Sequence, residues 1–470
     1  MSERQPTIWI NVTTSANWHR SAVGIVRVER ELRDNLRKLY PVGQFKECIW
    51  TGDGFSVFAA GAGEAKAGSN IEVLELPAAL PVSYLFPVLP KRQAVIAIAQ
   101  GAMSLVPDRL RPALDRLMRR CKAPVVQAMN YLAVRRYRKQ AKIVASEPHT
   151  MGSKADKDLV FSHPFQAGDV LISVGLDWSW TFYKDFYYLR TREKVKIVTC
   201  CYDLIPVLYP QYCVGEVASM FTSYFLDIAE GSDMVLCISK QSEQDLLEML
   251  DRTGGRKVKT HVFPLGDNVP SGGGSVSSEV EDVASEPFIL FVSSIERRKN
   301  HEVLYRAYHL LCQEGKRVQL PKLVFVGMPG WGVGDLLKDI ELDPLTKGMI
   351  IQLNHVNDAE LLKLYQSSLF CVFPSLYEGW GLPVGEAMSL GKAVLSSNRG
   401  SLPEVGGDLV CYVDPWSPRA WADEIYRMAT DEVWRTEWEQ KVKTQYQART
   451  WADAVITVKN AIQSIESSGF

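Results

Sequence analysis

The stretch CVFPSLYEGWGLPVGEAMSLG, Cys371 to Gly391, decides the fold. Its apolar opening, closing at Pro374, reads as a buried parallel strand. A tight turn with Gly379 and Gly381 follows, and then a helix with Pro383 at its first position. Val384, Ala387, Met388 and Leu390 are the apolar residues of that helix, and Gly391 suits its left-handed cap. Leu382 offers no capping oxygen, so the first amides need another partner. A helix start with free N–H groups at the carboxyl end of a strand is an anion site. Glu378 in the turn and Glu386 about one helical turn inside frame that site. Taken singly, Glu386 would complement the helix dipole and Glu378 would be a solvated turn residue. As a pair around a Gly-rich turn they read as a clasp for one ligand.

The pattern Glu, seven residues, Glu within PSLYEGWGLPVGEA resembles the signature of retaining GT-B glycosyltransferases of glycosyltransferase family four. The resemblance implies that Glu386 grips the ribose hydroxyls of a nucleotide diphosphate sugar and that Glu378 orients the transferred sugar. It also implies that the backbone of Gly379, Trp380, Gly381 and Leu382 contacts sugar and diphosphate. The expected fold class is α/β of the GT-B type: two doubly wound Rossmann-like domains facing across a cleft, with a basic helical insertion in the first.

Length and composition fit that reading. A chain of 470 residues is too long for one ordinary core. Hydrophobic residues make up 46% and the formal net charge is −1, as in globular proteins. The 9 cysteines include no C-x-x-C pair, which disfavours a disulfide framework or zinc knuckle and suits a reduced, cytoplasmic setting. The opening MSERQPTIWIN does not read as a signal sequence. The most apolar window, Val95–Val106, is too short and broken to span a membrane.

From the start of the chain, Thr7–Val12 reads as a strand, and a helix follows with Ile25, Val28, Leu32, Leu36 and Leu39 on one face. On pattern alone Arg27 is a surface residue of that amphipathic helix. The segment VGIVRVERELRDNL resembles the G-I-x-R-V opening of polysaccharide-assembling family members, which makes Gly24 and Arg27 candidates for the cleft.

Residues 91–142 carry 13 Lys or Arg against Asp108 and Asp115, a local net charge of +11, with apolar residues recurring between the charges. Such a segment suits an anionic membrane surface or a lipid-linked acceptor, each basic residue adding about 1 kcal/mol near anionic lipid. A solvated helical insertion is the competing reading. No recognised nucleic-acid motif accompanies the charges, so nucleic acid is not expected as a partner. Asp156-Lys157-Asp158 looks like a metal-binding D-x-D, but a lysine between the carboxylates and no preceding apolar strand argue for coincidence. No metal site is expected.

Strands at Val170–Val174, Val195–Cys201 and Met234–Ile238 complete the first domain. The second leads into YDLIPVLYP, which resembles the family's H-D-L-I-P loop with Tyr202 in place of histidine. Asp203 is either a cleft residue or the cap of the following turn. Ser239 and Lys240, at the end of the next strand, face the expected cleft; Ser239 or Ser242 reads also as a helix cap. The expected domains are 1–268, a linker at 269–286, a nucleotide-sugar-binding domain at 287–445, and a helix at 446–470 crossing back to the first.

In the second domain, Phe288–Val292 reads as a strand and His301–Leu311 as a helix, with Arg297, Arg298 and Lys299 between them. Three adjacent cations need solvent or an anion. The segment resembles the family's E-P-R-K-N loop, which gives Arg298 and Lys299 the donor diphosphate. At the NHVND edge the resemblance places the nucleotide base, through the backbone of Val356 and the carboxylate of Asp358; Asp358 reads equally as a helix N-cap. SLPE, Ser401–Glu404, matches a family loop without a role derivable from its residues.

Together these residues lead to an expected transfer of a hexose, of mannose or rhamnose type, from a nucleotide diphosphate sugar to a glycan or polyprenyl-linked glycan acceptor. No further cofactor is expected. Asp358 would suit guanine's N–H donors, which points toward a GDP-sugar. The expected location is the cytoplasmic face of the inner membrane, held peripherally through 91–142. A non-catalytic subunit of a polysaccharide-synthesis complex and a sugar-nucleotide epimerase are the alternative classes.

Overall fold

In the computed structural model, the structure describes residues 4–18, 24–52, 54–58, 162–180, 183–213, 217–269 and 274–466. The basic segment 91–142 and Asp156–Asp158 lie outside the described residues. The chain divides into two compact units, one of residues 1–57, 163–247 and 258–470, the other of 58–162 and 248–257. In the second unit the described residues include the end of a helix, where Gly255 N–H donates to Leu250 O at 2.7 Å. The first unit is the larger of the two.

That unit holds two sheets. The first has 7 strands: β1 (Ile8–Asn11), β2 (Phe45–Trp50), β3 (Phe55–Val57), β4 (Val170–Ser173), β5 (Lys196–Cys201), β6 (Met234–Cys237) and β7 (Lys259–Val262), ordered β3-β2-β1-β4-β5-β6-β7. The second has 6: β8 (Phe288–Val292), β9 (Lys322–Val326), β10 (Ile350–Leu353), β11 (Phe370–Phe373), β12 (Val394–Ser396) and β13 (Cys411–Tyr412), ordered β10-β9-β8-β11-β12-β13. All pairings are parallel except β2 with β3. Runs such as FILFV and FCVF are continuous because helices cover both faces of a parallel sheet.

Strand order reverses between β1 and β4 in the first sheet and between β8 and β11 in the second. Loops leaving the carboxyl ends of neighbouring strands diverge at such a switch point and open a crevice there. The loops carrying Arg298, Lys299 and Glu378 follow β8 and β11.

The stretch 269–286 differs from a bare linker. Its later part forms helix Ser278–Ala284, with Val280 and Val283 buried in the core of the second sheet domain. Two valines three residues apart share a helical face, enough to pack one turn despite acidic flanks. The last helix, Trp451–Glu466, packs against Gly24–Leu39 of the first sheet domain. Trp451 is buried, and Gly266 leaves room for it: a Cβ there would lie 2.7 Å from the indole.

Candidate active site

The turn after β11 enters helix α1 (Leu382–Ser389), one residue ahead of the expected start, so Pro383 occupies the second helical position. Gly381 precedes it at φ +105°, a conformation costly for other residues, and a Cβ there would meet Leu402 Cδ2 at 2.6 Å. No side chain caps this helix end. Gly379 permits a closer approach still: its Cβ would lie 2.5 Å from Tyr202 O and 2.8 Å from Asp203 Cβ. The two sheet domains therefore meet at the Glu378 turn itself.

Glu378 is buried and doubly paired. Lys299 Nζ donates to its Oε1 at 2.6 Å and Arg298 Nη1 to its Oε2 at 2.8 Å. Arg298 also donates to Tyr377 O at 2.9 Å and to Glu296 Oε1 at 2.9 Å. Burial alone would raise the Glu378 pKa; the Arg298 and Lys299 charges outweigh it and bring the group down to about 2. Burial lowers the Lys299 pKa, Arg298 adds to that, and Glu378 opposes it. Asn300 adopts φ +62° after the cationic turn, and its side-chain amide donates to Pro374 O and Pro415 O. The turn is thereby tied to the end of β11.

Asp203 caps the following turn and lies against Gly379 of the Glu378 turn. Its Oδ1 accepts the Ile205 amide at 3.0 Å. Burial raises its pKa, Arg298 opposes this, and Glu378 raises it further, so its carboxyl also feels the site's charges.

Glu386 forms a second buried cluster. Its Oε1 accepts Arg27 Nη1 at 2.7 Å and its Oε2 accepts the Tyr365 hydroxyl at 3.0 Å. Arg27 also donates to Asn268 O and lies 5.7 Å from the Trp451 ring centre. It is therefore a buried residue that joins the two sheet domains, not the surface residue its helical pattern suggests. Burial raises the Glu386 pKa and Arg27 opposes the rise. A carboxylate has about four lone-pair directions, so both oxygens retain acceptor capacity. Gly24 begins the Arg27 helix at φ +53°.

Val356 and Asp358 follow β10, three strand spacings from β11, or about 14 Å at 4.8 Å per strand. The helix cap there is Asn357, not Asp358. Asn357 Oδ1 accepts the Glu360 amide at 3.0 Å, and Glu360 Oε2 accepts the Asn357 amide at 2.9 Å, a reciprocal capping box. Asp358 is the first helical residue, with no capping duty. Elsewhere, Ser239 Oγ accepts the Ser242 amide at 2.9 Å and caps its helix.

Tyr365, Glu296 and Asp267 were not singled out from sequence, and Glu404 stood in the SLPE loop without a role. Tyr365 looks like one more apolar position of its helix. Asp267 lies against Gly385, where a Cβ would be 2.5 Å from its Oδ1. Trp380 is buried, and its indole N–H has no hydrogen-bond partner among the described residues. Among the described residues, no group of three or more His, Cys, Asp or Glu side chains could hold a metal ion.

Residues 278–451 match the family model described as glycosyl transferases group 1. The O-antigen chain mannosyltransferase B of Escherichia coli is 28% identical over 292 residues, covering 60% of this chain and 76% of that protein. The serotype-specific mannosyltransferase WbdA of Escherichia coli is 28% identical over 285 residues, 58% of this chain but 34% of its own length. Sucrose-phosphate synthase from Thermosynechococcus elongatus shares the fold at TM-score 0.56 and 18% identity, across 99% of this chain and 100% of that one. Two doubly wound domains meeting at such a turn have the GT-B fold. The match to the glycosyl transferases group 1 model lies over the second sheet domain, the part that carries Arg298, Lys299, Glu378 and Glu386.

Proposed function

We propose that the protein transfers a hexose, of mannose or rhamnose type, from a nucleotide diphosphate sugar to a hydroxyl of a glycan or lipid-linked glycan, with retention, in cell-surface polysaccharide assembly. The observation that carries this is the convergence of Arg298 and Lys299 on Glu378 at the switch point of the second sheet, beside the uncapped start of α1. The names of the Escherichia coli mannosyltransferases support the sugar and the pathway.

In this reading the diphosphate rests between the two cations and the first amides of α1. Negative charge grows on the leaving phosphate as the glycosidic bond breaks, and charged hydrogen bonds there contribute about 1.5–3 kcal/mol each. Arg298 and Lys299 supply the positive charge that a divalent metal would otherwise bring, so the reaction is metal-independent. Glu378 holds the cations and orients the sugar. With both oxygens engaged and its basicity suppressed, it is poorly suited to attack carbon. Glu386 takes the ribose hydroxyls with its remaining lone pairs, and Gly379, Trp380, Gly381 and Leu382 line the sugar and diphosphate path. Val356 and Asp358 hold the base, guanine by preference. Asp203, Gly24 and Arg27 complete the wall on the first sheet domain, which receives the acceptor.

Among the described residues, no helix is long and apolar enough to cross a membrane. The +11 segment 91–142 is suited to an anionic membrane surface and supports a reaction held at the cytoplasmic face of the inner membrane. Turnover of GDP-, UDP- and dTDP-hexoses, with and without glycan acceptor, tests the reading. Transfer with retained anomeric configuration by the chelator-treated protein is the expected result. Absence of both transfer and donor hydrolysis across the panel would contradict it.

A further inference from the structure

The start of helix α2 (Lys240–Thr253) is capped from the other sheet domain. Lys240 N–H donates to Glu404 Oε2 and Gln241 N–H to Glu404 Oε1, both at 2.8 Å. Ser239 takes the Ser242 amide, and Glu243 is the first to find an intrahelical partner, Ser239 O at 3.1 Å. Two of the orphan donors of this helix are therefore satisfied by one carboxylate that belongs to the second domain, in the direction the helix dipole favours.

Glu404 connects directly to the candidate active site. It sits in helix Leu402–Gly406, and its own amide donates to Ser401 O at 2.9 Å. The Ser401 hydroxyl donates to Glu378 O at 3.0 Å and to Trp380 O at 2.9 Å. Two neighbouring contacts cross the same seam: the Tyr377 hydroxyl donates to Asp245 Oδ2 at 2.6 Å, and Ser242 Oγ donates to Gly379 O at 3.4 Å. Unlike these, the Glu404 contact lies at the solvent edge. A carboxylate on two backbone amides at a rim can release to water and re-form without leaving a buried group unpaired.

We infer that Glu404 is a positioning residue, a reversible latch that closes the first sheet domain onto the Glu378 turn. Opening the cleft to exchange ligand breaks both hydrogen bonds at once, and closing restores them and sets Asp203 against Gly379. The latch exists whatever the cleft transforms; its effect on turnover rests on the proposed function.

Hydrogen exchange and small-angle scattering on the full chain test it without a donor. Glu404→Ala should speed exchange of the Lys240 and Gln241 amides at least ten-fold and raise the radius of gyration, with protection later in α2 unchanged. Glu404→Gln, which keeps one acceptor oxygen, should fall between. Lys240→Pro removes one donor yet suits the first turn of a helix. Combined with it, Glu404→Ala should add less expansion than it causes alone. With GDP-mannose, Glu404→Ala should raise KM more than it lowers kcat. Unchanged exchange and scattering in Glu404→Ala would overturn the latch, as would loss of protection along all of α2, which marks simple unfolding. If the wild type transfers no sugar while exchange and scattering change as expected, the proposed function fails and the latch stands.

Discussion

Arg27 and Glu386 are 359 residues apart in the chain, and Arg27 Nη1 meets Glu386 Oε1 at 2.7 Å with both side chains buried. The pair ties the Gly24–Leu39 helix of one sheet domain to the helix that begins at the Gly-rich turn of the other. Replacing one member leaves an uncompensated buried charge, which costs about 3–5 kcal/mol, more than the pair itself contributes. Arg27→Met should therefore destabilise the protein by about that amount in chemical denaturation, and adding Glu386→Gln should recover most of it. Equal stability of Arg27→Met and wild type would show that the pair does not form in solution.

A second buried carboxyl predicts a pH slope. Asp177 accepts the Ser173 hydroxyl at 2.8 Å; burial and, to a smaller extent, Glu29 raise its pKa from 3.8 to about 7. Between those values the folded protein keeps a proton that the unfolded chain has released, so this group lowers stability as pH rises from about 4 to 7. Asp177→Asn keeps the acceptor oxygen and removes the titration. The variant should gain melting temperature relative to wild type at pH 8 more than at pH 4. A wild-type-minus-variant difference that is flat across that range would contradict the assignment.

The basic segment makes its own prediction. Flotation with phosphatidylglycerol vesicles should carry the protein upward at low salt and not at high salt, as screening requires. Phosphatidylcholine vesicles should carry little. Reversing Arg135, Arg136, Arg138 and Lys139 to Glu should abolish flotation and leave turnover of a soluble acceptor intact. Equal flotation with both lipids would remove charge as the cause.

Much of the fold was legible because buried parallel strands write themselves as apolar runs: FILFV and FCVF fall at β8 and β11. The Glu378 turn was legible because its glycines and missing cap are local. Arg27 was visible only through family resemblance, since a 3.6-residue pattern cannot report a partner on another domain. Glu404 escaped because it binds backbone amides, which carry no sequence signal. The Asn357–Glu360 capping box is written in the sequence one residue ahead of Asp358, whose N-cap reading, equal there to its base-binding one, the structure gives to Asn357 instead. In 269–286, a single buried turn with two valines is too short to stand out from its acidic surroundings.

The central claim is that Lys299 and Glu386 serve one donor. Steady-state transfer by purified Lys299→Ala and Glu386→Ala, with the donor the wild type uses and folding checked by circular dichroism, addresses it most directly. Each should lose at least about a hundred-fold in kcat/KM, the scale of removing one preorganised charge-stabilising group. Near-normal transfer by either folded variant would contradict the account.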